Sequence, residues 1–260
     1  MLDIGIPLLG FMVGVMIGTS GMGGGSLMTP AMILLLRINP ITALATDLVY
    51  MALTKSFGVV QYYRRATLDF QIVKYLLIGG IPSSALGIIL VTEAAFDIGI
   101  QVDSFINQSL GLILIPAAIL ILYQATGRQS GVSHRIANIS ASKRNMITVI
   151  VGSFIGFLVS ITSVGSGTLL LPFLLFSYNL IPTKLIGTDM LFAAVITGIT
   201  GFAYLSLGVV ALPLLALLMT GSIPGVYLGS RIGHKLPIKY IRLILGVILF
   251  ITAISLLVKS

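Results

Sequence analysis

Apolar positions gather along the chain into ten blocks separated by short polar or glycine-rich breaks, at 4–18, 26–37, 41–62, 72–91, 105–123, 146–162, 168–180, 183–206, 210–230 and 240–258. Met146 to Val164 and Leu243 to Val258 hold no ionisable residue at all. Blocks of this kind predict helices that cross a bilayer, for which about 30 Å of hydrocarbon requires roughly 20 residues. Four blocks (4–18, 26–37, 146–162 and 168–180) are shorter, and they come as two pairs, each joined by a Gly- and Ser-rich stretch. A pair starts and ends on the same face whether it crosses twice or dips in and returns, so the alternation of sides survives that ambiguity.

Sliding the sequence along itself gives its strongest match at an offset of 142 residues, without a gap over some 75 positions. Gly23, Gly25, Pro30, Pro40, Thr46, Asp47, Tyr62, Gly79 and Pro82 fall on Gly165, Gly167, Pro172, Pro182, Thr188, Asp189, Tyr204, Gly221 and Pro224. Chance hydrophobic matching aligns Leu with Ile, but not Thr-Asp with Thr-Asp and Pro with Pro in one register. Each copy holds five blocks, an odd number, so the second copy begins on the opposite side from the first. The prediction is an all-α polytopic membrane protein of two inverted repeats, 1–124 and 146–260, around a basic linker at 125–145. Secondary transporters are commonly built this way, with paired helix interruptions marking a site near the midplane.

Charge sharpens the topology. Of 260 residues only 15 are Lys or Arg and 7 are Asp or Glu, about 8% against roughly 25% in soluble domains. The net charge of +8 is therefore read as topology rather than as a nucleic-acid surface. Placing the linker cations Arg128, Arg135, Lys143 and Arg144 in the cytoplasm also brings Arg64, Arg65, Lys74, Lys184, Arg231, Lys235, Lys239 and Arg242 inside, leaving Glu93, Asp97 and Asp103 outside. Both termini are then expected outside the cytoplasm. The start MLDIGIPLLG has no basic n-region and reads as a retained span. No Cys is present and the two histidines, His134 and His234, lie in basic loops without nearby carboxylates, which argues against thiol chemistry, against a His-based metal site and against hydrolysis.

The paired interruptions run from Gly18 to Ser26, with Ser20, Gly23, Gly24 and Gly25, and from Ser160 to Thr168, with Thr162, Ser163, Gly165, Ser166 and Gly167. Irregular backbone in hydrocarbon is tolerated where it is buried in protein or lines a polar cavity. Helices restarting at Ser26 and Thr168 would present unpaired N–H groups beside hydroxyls, an anion-binding arrangement. The competing reading is close helix packing on small residues. No lysine of a phosphate-binding loop follows the glycines.

Three charges lie inside apolar blocks, and such residues are functional-site candidates by default. Asp47 and Asp189 sit about 9 Å from opposite ends of their helices, at 1.5 Å per residue. Lys55 falls at the depth of Asp189, so it is expected to face Asp189 or, failing that, the substrate. For both aspartates, hydrogen bonding to an elbow's backbone and proton coupling remain open. Lys55 has no repeat partner, since Thr197 holds that position. Tyr62 and Tyr204, at helix ends, are expected as interfacial anchors.

The elbow Gly21-Met22-Gly23-Gly24-Gly25 with Pro30, the stretch Ala45-Thr46-Asp47-Leu48 through Thr54-Lys55, the exit Tyr63-Arg64-Arg65 to Leu68-Asp69, and Gly187-Thr188-Asp189 resemble the two repeated signatures of the TauE/SafE sulfite exporters, also called the four-toluene sulfonate uptake permease family. The likeness covers nearly the whole chain and departs at Ser166, where the first elbow has Gly24, and in the long 124–145 loop. It implies transport of a small sulfur-containing or organic anion (sulfite, sulfoacetate or another sulfonate) across the cytoplasmic membrane of a prokaryote, without a cofactor. It points to Gly23 to Ser26, Thr46, Asp47 and Lys55 in one half, and to Gly165 to Thr168, Thr188 and Asp189 in the other.

The expected partners are the anion, the lipid bilayer and coupling protons, in a monomer or homodimer. The alternatives are an anion channel and a cation or metal permease working through Asp47 and Asp189. Replacing Gly24 by Val is expected to abolish transport while leaving the protein inserted; vesicle uptake at wild-type rate would mean that this glycine only packs.

Overall fold

A computed structural model describes residues 2–20, 26–96, 102–125, 140–178, 180–232 and 238–259. Among them are ten helices: α1 (Leu2–Ser20), α2 (Met28–Leu34), α3 (Pro40–Arg64), α4 (Phe70–Phe96), α5 (Val102–Ala125), α6 (Ala141–Thr162), α7 (Leu170–Ser177), α8 (Pro182–Ser206), α9 (Leu212–Ile232) and α10 (Ile238–Lys259). Five of them (α3, α4, α6, α8 and α9) are long and apolar enough over their described residues to cross a membrane, and α3 and α8 are the most buried of these. Large apolar side chains such as Leu86, Leu112 and Phe202 stand exposed on the outside of the bundle, as a lipid-facing surface requires.

The short pairs resolve unequally. α1 has 19 residues and α6 has 22, so each is long enough to cross. α6 begins at Ala141 because Ser142, Lys143, Arg144 and Asn145 extend the helix beyond its apolar block. α2 and α7, of 7 and 8 residues, reach only about 10–12 Å, too short for either to cross the hydrocarbon by itself. Both start two residues later than the sequence suggests, at Met28 and Leu170. Just before each of the following long helices, Asn39 (ψ 138°) and Ile181 (ψ 147°) are extended, each held out of the helical region by the proline that follows. Pro40 and Pro182, with φ set for the first helical turn, start α3 and α8.

Helix packing repeats with the 142-residue offset. α1 packs on α9 and its counterpart α6 packs on α4, while α3 packs on α8 and α5 on α10. A β-carbon on Gly221 would strike the Pro7 carbonyl oxygen, and one on Gly79 would strike the Val149 carbonyl oxygen; both residues and both oxygens are 142 apart. Small residues thus let two equivalent helix pairs close to backbone contact.

The relation is two-fold and inverted. The backbone N–H of Ala211, before α9, donates to Thr46 Oγ1 at 3.0 Å. The N–H of Asp69, before α4, donates to Thr188 Oγ1 at 3.2 Å. Each copy gives the other the same contact, which is the signature of an isologous two-fold. The start of α3 therefore lies beside the end of α8, and the start of α8 beside the end of α3, so the two helices run antiparallel.

Tyr62 and Tyr204 are not interfacial anchors. Both are buried, and their hydroxyls reach the carbonyls of Gly18 at 3.4 Å and Ser160 at 3.2 Å, near the ends of α1 and α6. These carbonyls lie in the last turns of their helices, where carbonyls run out of intrahelical partners, and a phenol that reaches one is better placed inside than at the headgroups.

Replacing Gly79 or Gly221 by Leu is expected to destabilise the protein by at least about 1–3 kcal/mol, lowering the melting temperature in detergent to a similar extent for both. Gly198, with nothing near its β position, should accept Ala without change. Unequal losses at the two mates would contradict the two-fold.

Candidate functional site

The second elbow is built from its backbone angles. α6 ends at Thr162, and Ser163, Gly165 and Gly167 take positive φ values of 60°, 141° and 70°. The last two suit glycine, which lacks the β-carbon that makes this region costly. Ser166 between them is not among the positive-φ residues, so a side chain is tolerated there where the first repeat has Gly24. Thr162 stays local: its hydroxyl donates to Leu158 O at 2.7 Å and accepts from Val164 N–H at 3.2 Å. The N–H of Thr168 is taken by Ser166 O, and those of Leu169 and Leu170 by Gly165 O. The amides on which the anion reading of this elbow rested are thus occupied within the elbow itself.

What remains pointing inward is side-chain chemistry from α3 and α8. Asp189 Oδ1 accepts the Gly167 N–H at 2.7 Å, and its Oδ2 lies 3.4 Å from Lys55 Nζ. Lys55 in turn donates to Ser166 Oγ at 2.8 Å. The ammonium is 1% exposed and the carboxylate 0%. Lys55 thus faces Asp189, at the depth expected from its position along α3. Two departures from repeat symmetry, Lys55 for Thr197 and Ser166 for Gly24, are bonded to each other across the two copies.

Asp47 does not mirror Asp189. Its Oδ2 accepts the Thr29 hydroxyl at 2.5 Å and the Ser163 hydroxyl at 2.8 Å, and its Oδ1 has no hydrogen-bond partner among the described residues. Thr168 Oγ1, also buried, is likewise without one. Elbow, α2, α3 and α8 thus bring together Asp47, Lys55, Ser163, Ser166, Gly167 and Asp189, with Thr168 and Gly165 in the same turn.

Other expected site residues lie elsewhere. Thr46 and Thr188 hold the interrepeat amides described above. Ser26 is buried at the start of α2. Gly23, Gly24 and Gly25 and the side chain of Ser20 lie outside the described residues. The structure adds Thr29, and also a neighbouring polar cluster in which Tyr50 donates to Ser222 Oγ at 2.8 Å and Thr54 Oγ1 lies 3.4 Å from the same atom. One sequence signal could have found these residues. Thr29, Tyr50, Thr54 and Ser222 are polar where their repeat mates Leu171, Phe192, Ile196 and Gly80 are apolar or lack a side chain.

α7 links this cluster to a cavity of about 250 Å³ lined by Asp69, Gln71, Ile72, Tyr75, Arg144, Asn145, Tyr178 and Leu180. Tyr178 follows the last turn of α7 and pairs with the Thr148 hydroxyl at 2.6 Å, with the Arg144 guanidinium 5.2 Å from its ring centroid. Burial pushes its phenol up from the ordinary tyrosine range. Arg144 Nε is buried without a partner among the described residues. Lys184 and Asp69 pair beside it at 3.0 Å.

These features define a polytopic membrane protein of two inverted halves with a buried, charged centre. The family described as Sulfite exporter TauE/SafE matches residues 6–256, and the chain belongs to that family. It is 34% identical over 257 residues to the probable membrane transporter protein YjnA of Bacillus subtilis, covering 98% of this chain and all of the relative. It is 28% identical to YdhB of the same organism, over 89% of this chain and 91% of that one. A probable membrane transporter protein of Methanocaldococcus jannaschii is 29% identical over 97% and 95% of the two chains. No solved structure matches. The chain is a multi-pass membrane transporter.

Replacing Lys55 by Met strands a buried carboxylate, for which a loss of about 3–5 kcal/mol is expected. Combining it with Asp189→Asn removes the stranded charge and should restore most of the melting temperature. A double variant no more stable than Lys55→Met alone would mean that the pair is not coupled.

Proposed function

We propose that the protein carries a small oxoanion of the sulfite or sulfonate class across the cytoplasmic membrane by alternating access of its two halves around Lys55. The observation that carries this reading is a fully buried ammonium, shared between a hydroxyl and a carboxylate, at the crossing of the two most buried helices. An ammonium in low dielectric needs a negative partner, and at 3.4 Å Asp189 is looser than the 2.7–2.9 Å typical of a charge-assisted bond. An oxoanion is an acceptor on every side, and Lys55, with the hydroxyls of Ser166 and Thr168, offers donors at several angles.

The anion competes with Asp189 for Lys55. When it arrives, Asp189 loses a positive neighbour, keeps only the Gly167 amide, and takes a proton; when the anion leaves, the proton leaves and the ion pair re-forms. Substrate and proton thus move together without a cofactor. The cavity at Arg144 and Tyr178, one α7 length from Ser166, is the approach from the basic face. The family's description supports the sulfur oxoanion class, and the relatives' names support transport.

The test is a thermal-shift panel of sulfite, thiosulfate, sulfoacetate and taurine on purified protein, followed by counterflow in loaded vesicles. Sulfite or a sulfonate anion should stabilise the wild type. The Lys55→Met/Asp189→Asn variant, though folded, should lose at least about tenfold in affinity, or 1.4 kcal/mol. Unchanged affinity would remove Lys55 from the site, and flux without trans-stimulation would make the protein a channel.

A further inference from the structure

A second cavity, of about 330 Å³, opens between α3 and α9 and is lined by Phe57, Val60, Gln61, Arg64, Arg65, Tyr227 and Arg231. It is remote in chemistry from the Lys55 cluster: three guanidiniums line it and no carboxylate does. Arg65 Nη1 donates to the Ser230 carbonyl at 3.1 Å, and Arg231 stacks over Tyr227 with 4.3 Å from its guanidinium carbon to the ring centroid. Both are thereby fixed against the cavity wall. None of the three arginines belongs to an ion pair among the described residues, whose pairs are Lys55–Asp189 and Lys184–Asp69. On the side alternation read from the sequence, Asp69 is the one loop carboxylate at this end of the bundle, and Lys184 already occupies it.

The lower wall is apolar and faces outward: Phe57 is 48% exposed and Val60 49%, on the lipid-facing surface of α3. The repeat supplies a control. The positions 142 residues away are Ile199, Phe202, Ala203 and Ser206 on α8, Leu207 just after it, and Ala85 and Ile89 on α4, with no charge among them. Packing of this helix pair therefore does not require the arginines.

We infer that this cavity binds the phosphate of an anionic phospholipid, whose acyl chains lie along Phe57 and Val60. Arg fits the task because its planar fork engages phosphate oxygens two at a time, and basic pockets between spanning helices at one membrane face suit lipid head groups. The ligand is the lipid rather than free phosphate because the cavity continues onto a surface that water leaves and acyl chains cover.

The test uses the full-length protein in a neutral detergent. Phosphatidylglycerol and cardiolipin should raise its melting temperature and stay bound in native mass spectrometry, while phosphatidylcholine and inorganic phosphate at equal phosphate concentration should do neither. Replacing both Arg64 and Arg231 by Gln should weaken anionic lipid binding about thirtyfold, and Arg64→Lys/Arg231→Lys should retain most of it. Sulfite binding is a separate readout, expected to be unchanged in both variants. The assignment is overturned if phosphatidylcholine binds equally, if inorganic phosphate reproduces the stabilisation, or if the Gln variant folds and retains the lipid.

Discussion

The structure turns on the carboxylate of Asp189. One oxygen holds a backbone amide of the second elbow and the other faces the ammonium of Lys55 from the opposite repeat. A broken helix in hydrocarbon survives only if its freed polar groups find partners, and a lone buried ammonium is far costlier than a paired one. Asp189 meets both needs at once. The shape of the elbow and the charge state of the centre are thus tied to a single group, and anything that draws Lys55 away is felt in the backbone at Gly167.

Symmetry and its violations divide the work. The matched elements, namely the α1–α9 and α6–α4 pairs, the prolines that open α3 and α8, and the reciprocal threonine contacts, build the frame. The unmatched ones hold most of the charge. Lys55 and Ser166 meet in the middle, while the arginines of the α3–α9 cavity and the Arg144–Tyr178 pair are found at one face only. A duplicated unit that kept full symmetry would have two equal carboxylates and no cation between them.

Much of this was legible in the sequence because it rests on period and offset. The spans, the repeat, its inversion and the depth that put Lys55 opposite Asp189 follow from counting at 1.5 Å per residue. The use made of individual polar atoms was not legible. Thr46 and Thr188 stand beside the aspartates in sequence, yet one residue along a helix turns a side chain by about 100°, and they serve interrepeat amides instead. The elbow amides of Thr168, Leu169 and Leu170 are consumed by local carbonyls, which no spacing rule discloses. Tyr50 and Ser222, 172 residues apart, meet only because α3 and α9 pack.

The reciprocal threonine contacts act as clasps at the two ends of the α3–α8 pair, and they are not equally reinforced. At the basic face the Thr188–Asp69 clasp is reinforced by the Lys184–Asp69 ion pair, with side chains 33% and 20% exposed. At the other face the corresponding residues are Thr42 and Ala211, which cannot form one. A partly exposed pair of this kind contributes about 0.2–1 kcal/mol, a margin that the opposite end lacks. A duplicated molecule is thereby tied unequally: by charge as well as by hydrogen bond at one end of its central helix pair, and by hydrogen bond alone at the other.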